Sequence, residues 1–292
     1  MKRYLILMLV LLISPLVMQS TAEPTRHSPV PLPHAHAHND FYHKRPLLDA
    51  LDHGFCSVEA DIFLVEGRLL VGHSRSELKS ARSLRSLYLE PLKQRIAANQ
   101  GRVFRKGPTF TMLIDIKSDA DATYGALRKV FAEYDDILSS TTAGKHQRKA
   151  VTVVISGNRA QDAIVKTADR HAGIDGRLAD IDSKIPSHLM PLISDNWHRH
   201  FRWRGQGEMP EKERQKLRET VKKIHLSGRR VRFWATPEDP RVWSELLDAG
   251  VDLIGTDDLA ALSQFLKARN NWGSIRFSGS HRFPAPATAR AQ

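Results

Sequence analysis

Short, largely β-branched apolar runs alternate with stretches of helical periodicity over most of this chain, and that alternation limits the folds open to it. Strand candidates end near residue 36 and lie at 55–64, 110–116, 151–155, 177–181, 190–194, 231–234 and 251–254. Helical patterns fall between them at 46–53, 84–98, 122–134, 160–170, 210–226, 240–249 and 259–268, while 66–67 turn the second strand into a short run at 68–72. Eight strands alternating with helices in about 235 residues predict an α/β chain of the (β/α)8 TIM-barrel type. The strands are mainly apolar, as strands covered on both faces should be. An open doubly wound sheet would be expected to carry a glycine-rich nucleotide loop or a P-loop after a strand, and the sequence has neither.

The ends of the chain read differently from its middle. Lys2 and Arg3 precede an uninterrupted apolar run at 5–13, and the small residues Ser20, Thr21 and Ala22 follow. This order predicts a signal peptide over 1–22 and an exported protein, periplasmic or secreted. Four prolines make 23–33 an extended leader, the barrel domain is expected over 34–270, and 271–292 is a Ser-, Gly- and Pro-rich tail. The single cysteine, Cys56, has no partner for an internal disulfide and is expected to be a buried strand thiol. A formal charge of +12 would attract phosphorylated small molecules or an anionic membrane surface. The basic residues are dispersed without a zinc-finger or helix-turn-helix pattern, which argues against nucleic acid. No feature calls for an obligate protein partner.

Residues able to do acid–base or metal chemistry collect at the ends of the predicted strands, which in a barrel converge on one mouth. His34, His36 and His38 alternate along the first strand and share one side of it. His36 falls where that strand is expected to enter the mouth. Glu59 and Asp61 are two apart on an apolar strand and point the same way. Held together in a partly dry site they would repel, and a hard divalent cation removes that penalty. Asp115 at the end of the third strand offers a third carboxylate, and Lys117 places a cation beside a phosphate. His73, after the short run at 68–72, supplies a second imidazole, as phosphodiester cleavage needs one group to deprotonate a nucleophile and another to protonate a leaving alkoxide. Arg159 is a phosphate-binding candidate and Trp234 an apolar wall. Asp257 and Asp258, just past the eighth strand, are expected to orient loops or cap the last helix. Residues 194–209, rich in aromatic and basic side chains, are expected to form a lid facing a phospholipid surface.

The segments 36–40, 45–51, 154–159 and 234–258, taken with the order of the strand-end residues, resemble the phospholipase C-like phosphodiesterase superfamily, and within it the altered-inheritance-of-mitochondria branch. The resemblance covers about residues 34–268. It implies a barrel with one divalent cation, Mg2+ or Ca2+, held by Glu59, Asp61 and Asp115. It further implies His36 and His73 as the acid–base pair, Lys117 steadying the phosphate, Trp234 lining the pocket, and a phosphoric diester hydrolase that often proceeds through a cyclic phosphate. His36 with Asn39 matches an H-x-x-N spacing, although the register leaves His38 as the other choice. Glycerophosphodiester enzymes have Arg-Gly after the first histidine, where this chain has Ala37 and His38, and Arg45 is the candidate to replace the missing cation. The expected substrate is a glycerophosphodiester or lysophospholipid-like diester. The altered motif keeps a non-catalytic barrel binding anionic lipid or carbohydrate as the alternative.

Overall fold

A computed structural model describes residues 29–278. Eight parallel strands close into a barrel: β1 (Leu32–Ala37), β2 (Phe55–Val65), β3 (Phe110–Ile116), β4 (Val151–Gly157), β5 (Ala172–Gly176), β6 (Leu192–Asn196), β7 (Arg230–Trp234) and β8 (Leu253–Thr256). Each pairs with its sequence neighbours, and β1 pairs with both β8 and β2, which closes the ring. The expected barrel is therefore the observed fold. The expected signal peptide and most of the expected leader lie outside the described residues. Among the described residues, no helix is long and apolar enough to cross a membrane.

Helices α1 (Leu48–Asp52), α2 (Glu90–Ala98), α3 (Ala120–Ala132), α4 (Gln161–Lys166), α5 (Trp197–His200), α6 (Glu211–Leu226), α7 (Pro240–Asp248) and α8 (Leu259–Ser278) connect the strands. Their starts follow capping chemistry. Asp119 accepts from the Ala122 amide at the head of α3, and Asp239 accepts from the Arg241 amide ahead of Pro240 in α7. Charged α6 attaches through one narrow face, burying Leu217, Val221 and Ile224 at helical spacing. A turn of π-helix, Arg85–Leu89, leads into α2, and a hairpin of Ser140–Thr142 with Lys145–Gln147 sits ahead of β4; neither was expected.

Three expectations are corrected. The fifth strand is Ala172–Gly176, and the run at 177–181 contains a 3-10 turn instead. Its glycines are required by crowding: a Cβ on Gly173 would lie 2.7 Å from the Pro191 ring, and one on Gly176 would lie 2.5 Å from Ile193 Cδ1. A strand built for such close approach resembles a turn in composition. The helix expected at 160–170 is only α4, because the chain turns after Lys166 to enter β5. The aromatic lid is not a lid. Trp197, Phe201 and Trp203 are buried, and Trp197 stacks on Phe201 at 4.2 Å while both meet Phe233 edge-on.

Candidate active site

The barrel interior is polar at the carboxyl ends of its strands. Strand register sets Asp61 opposite Asp115, and Asp115 opposite Ser156, so the acidic residues of β2 and β3 rise to one level. Ligand oxygens from Glu59, Asp61 and Asp115 all lie within 4.8 Å of one another. Burial pushes Asp61 up to about 6, with Glu59 adding to the effect, and burial likewise raises Asp115. Lys117 opposes this: its Nζ is 3.2 Å from Asp61 Oδ2 and 3.1 Å from Asp115 Oδ1. Burial works against the ammonium, but those two carboxylates outweigh it and keep its pKa raised. Asp61 Oδ1 and Asp115 Oδ1 are buried without a hydrogen bond. Three hard oxygen donors, with Asp61 Oδ1 left without any partner, fit a Mg2+- or Ca2+-type cation and do not suit a thiophilic metal.

Gly157 makes room for this arrangement. A Cβ there would stand 2.1 Å from Asp115 Oδ1, and the residue has φ +66. Only glycine allows β4 to end so close to the carboxylate.

His73 arrives by a different device. Beyond the barrel rim β2 continues into a hairpin whose turn residues, Glu66 and Gly67, have φ 48 and φ 77. Two consecutive left-handed residues make the type I′ turn that suits the strand twist. The returning strand Arg68–Val71 pairs antiparallel with β2, and the Gly72 amide donates to the Asp61 carbonyl at 3.1 Å. His73 then follows beside Asp61, and its Nδ1 donates to Asp61 Oδ2 at 2.7 Å.

The two histidines of the first motif separate. His36 is wholly buried beneath the mouth, not in it. Its Nδ1 accepts from the Ser57 hydroxyl at 2.7 Å and its Nε2 donates to Glu59 Oε2 at 3.2 Å. Burial, with Arg232 beside it, pushes His36 down to about 3, so the ring is neutral and both nitrogens are occupied. His38 stands one step past β1 and is partly exposed; its Nδ1 donates to Asp257 Oδ1 at 2.8 Å. Burial opposes protonation of His38, but the Asp257 bond overcomes it and raises the pKa. Asn39, left-handed at φ 47, directs its amide to the same carboxylate at 3.4 Å.

Of the other expected site residues, Trp234 ends β7 and lies under the Arg177 guanidinium, 4.9 Å from ring centre to Cζ. Arg159 donates to the Asp175 carbonyl, which also accepts from Arg177. These three therefore form one group on the β4–β7 side. Arg45 does not join the site residues: its Nη2 is 2.7 Å from Asp49 and 2.6 Å from Asp52, an exposed cluster at α1.

Two participants were missed. Arg232 donates to Glu59 Oε2 at 2.6 Å from within the barrel, and with His36 it overcomes the burial that would raise Glu59, holding that carboxyl well below the usual range. A charged residue inside the apolar run Val231–Trp234 was the available signal. Asp257, expected with Asp258 to orient loops or cap the last helix, holds His38, while Asp258 caps α8 through the Ala261 amide.

The family model for AIM6-like phosphodiesterase domains matches residues 26–174, and that for the glycerophosphoryl diester phosphodiesterase family matches 230–260. The chain is 32% identical to altered inheritance of mitochondria protein 6 of Eremothecium gossypii, covering 84% of this chain and 72% of that protein. It is 29% identical to the homologue in Arthroderma benhamiae over 80% of this chain and 83% of that protein. A glycerophosphodiester phosphodiesterase structure from Agrobacterium tumefaciens is similar at TM-score 0.49 and 14% identity, covering 81% of this chain and all of that one.

Proposed function

We propose that this chain, which belongs to the AIM6-like phosphodiesterase family, is a metal-dependent phosphoric diester hydrolase whose acid–base pair is His38 and His73. The observation that carries the proposal is a repeated arrangement: each histidine gives its Nδ1 proton to a carboxylate, Asp257 or Asp61. That bond fixes the tautomer and leaves Nε2 for substrate. His36, which the sequence favoured, has no free nitrogen and supports Glu59 from below.

Glu59, Asp61 and Asp115 would hold the cation, which when bound supplies positive charge to the phosphoryl oxygens. Lys117 adds a fixed charge at the same place. His38, whose protonated form the Asp257 bond favours, gives a proton from Nε2 to the leaving alkoxide. His73 takes the proton of the attacking hydroxyl, either a neighbouring hydroxyl of the substrate, which yields a cyclic phosphate, or water. Arg159, Arg177 and Trp234 form the side of the mouth on which the remainder of a glycerophosphodiester or lysophospholipid-like substrate would rest. An exported location belongs to the same reading, and recovery of unprocessed chain in the cytosol would remove it.

The test is hydrolysis of an aryl phosphodiester with Mg2+ or Ca2+ by wild type and by H38N, H73N and H36N. H38N and H73N should lose about 100-fold or more in kcat. H36N should chiefly lower Tm. The proposal fails if wild type shows no metal-dependent turnover on any diester tried, or if H38N matches wild type.

A further inference from the structure

The barrel has a second opening. A cavity of about 410 Å3 lies at its amino-terminal end, lined by residues from the first three positions of their strands: His34, Cys56, Thr111, Thr152, Leu192 and Arg230. The candidate active site uses the opposite ends. His34 to His38, or Arg230 to Trp234, is four residues of strand, roughly 13 Å of rise. Between the two ends Leu113, Val154, Leu192 and Leu253 form a separate buried apolar cluster that plugs the barrel.

The base of such a barrel is ordinarily a matter of packing. Here hydroxylic and cationic side chains share the walls with prolines, Val154 and Leu192. Arg148 and Arg230 both line the cavity, and neither forms an ion pair with a carboxylate among the described residues. Arg230 is largely enclosed and spends one nitrogen on Thr111 Oγ1 at 3.0 Å, leaving the rest of its fork without a charged partner. His146 and His188 stack beside them, 5.3 Å between ring centres. The one carboxylate lining the cavity, Asp252, is already engaged, accepting from His225 Nε2 and the Val231 amide at 2.8 Å each. Asp252 attracts the enclosed Arg230 guanidinium without pairing with it, and burial still disfavours the charge, which a bound anion would relieve. The pKa values agree: burial lowers that of Arg230 despite the attraction of Asp252, and burial, with neighbouring cations, lowers those of His146 and His188.

We propose that this basal cavity is a binding site for a small oxyanion of phosphate type, inorganic phosphate or a short phosphomonoester, separate from the diesterase mouth. The volume suits a ligand of a few carbons. Arg148 and Arg230 supply the charge, and Thr111 and Thr152 supply hydroxyl donors.

Calorimetric titration of the full chain with inorganic phosphate, and separately with glycerol phosphate, is carried out in EDTA. Wild type should bind at least one of the two saturably. K117A, altered at the mouth, should bind as wild type does, whereas R148A and R230Q should bind at least tenfold more weakly. Arg148 is exposed and makes no hydrogen bond whose loss would unfold the chain, so R148A decides the matter if R230Q proves misfolded by circular dichroism. R148A should also retain wild-type diester hydrolysis. The proposal is overturned if neither anion binds saturably up to tens of millimolar, or if binding disappears in K117A, or if R148A binds as wild type does.

Discussion

Asp40 is a buried carboxyl whose ionisation a single-atom change removes. Its Oδ2 accepts from the Leu47 amide at 2.6 Å and from Tyr88 Oη at 2.9 Å, while Oδ1 is buried with no partner. Burial raises its pKa to about 7, against 3.8 for an exposed carboxyl. The sign follows from proton uptake: the folded state holds the proton more tightly, so this group's contribution is complete below 3.8 and is lost as pH rises through 7. In Asp40→Asn the amide oxygen keeps both acceptor bonds and nothing ionises. Its Tm relative to wild type should therefore rise from about pH 5 to about pH 8, by the equivalent of a few kcal/mol. Both proteins are melted in EDTA, and parallel curves would show that Asp40 does not titrate in this range. At this scale the sequence could show which residues share a face but not which of them reaches solvent. His34, His36 and His38 do alternate on one side of β1, yet only the position of the barrel rim separates the buried His36 from the available His38. That position depends on how far every neighbouring strand extends. Arg232 and Asp257 went unrecognised for a related reason, since each has its role through a partner more than 170 residues away.

Two glycines separate the cost of a backbone conformation from the cost of a collision. Gly67 turns the hairpin that returns His73, with φ 77, and nothing lies within 4 Å of where its Cβ would be. Gly157 ends β4 with φ 66, and its Cβ would overlap Asp115 Oδ1 at 2.1 Å. Alanine at either position forces an L-residue into the left-handed region, costing about 1–2 kcal/mol. Gly67→Ala should therefore lower Tm by a few degrees with diester hydrolysis little changed. Gly157→Ala should show a larger thermal loss, since its Cβ also meets the Ile116 carbonyl at 2.6 Å, and, because Asp115 must move, at least a tenfold fall in kcat/KM. Equal activity in the two variants would mean that Asp115 tolerates displacement. Most elements were legible because their signals are local: β-branched runs give β3 and β4, Pro and Gly bound α6, and a turn pair marks the hairpin. β5 was not, because its glycines answer to Pro191 and Met190 across a strand interface, which no local pattern records.

For the molecule as a whole, a cation held by the proposed carboxylate triad would register in stability. A cation that binds the folded chain and not the unfolded one raises Tm by mass action. Millimolar Mg2+ or Ca2+ should thus raise the Tm of wild type by several degrees, and Asp61→Asn or Asp115→Asn should abolish that rise. Both variants should be intrinsically more stable than wild type without metal near neutrality, because each relieves the crowding that raises these carboxyls. The pH dependence has a definite direction. Asp61 must be ionised to ligate, and its pKa of about 6 lies well above the ordinary 3.8. Protons therefore compete with the cation as pH falls through 6, and the metal-induced rise in Tm should be full near pH 7.5 and mostly gone near pH 5, although exposed carboxylates are still ionised there. This separates the triad from adventitious surface binding, which would persist to about pH 4. A rise that survives Asp61→Asn, or that is unchanged between those two pH values, would place the cation elsewhere on the protein and remove the metal from the proposed hydrolysis.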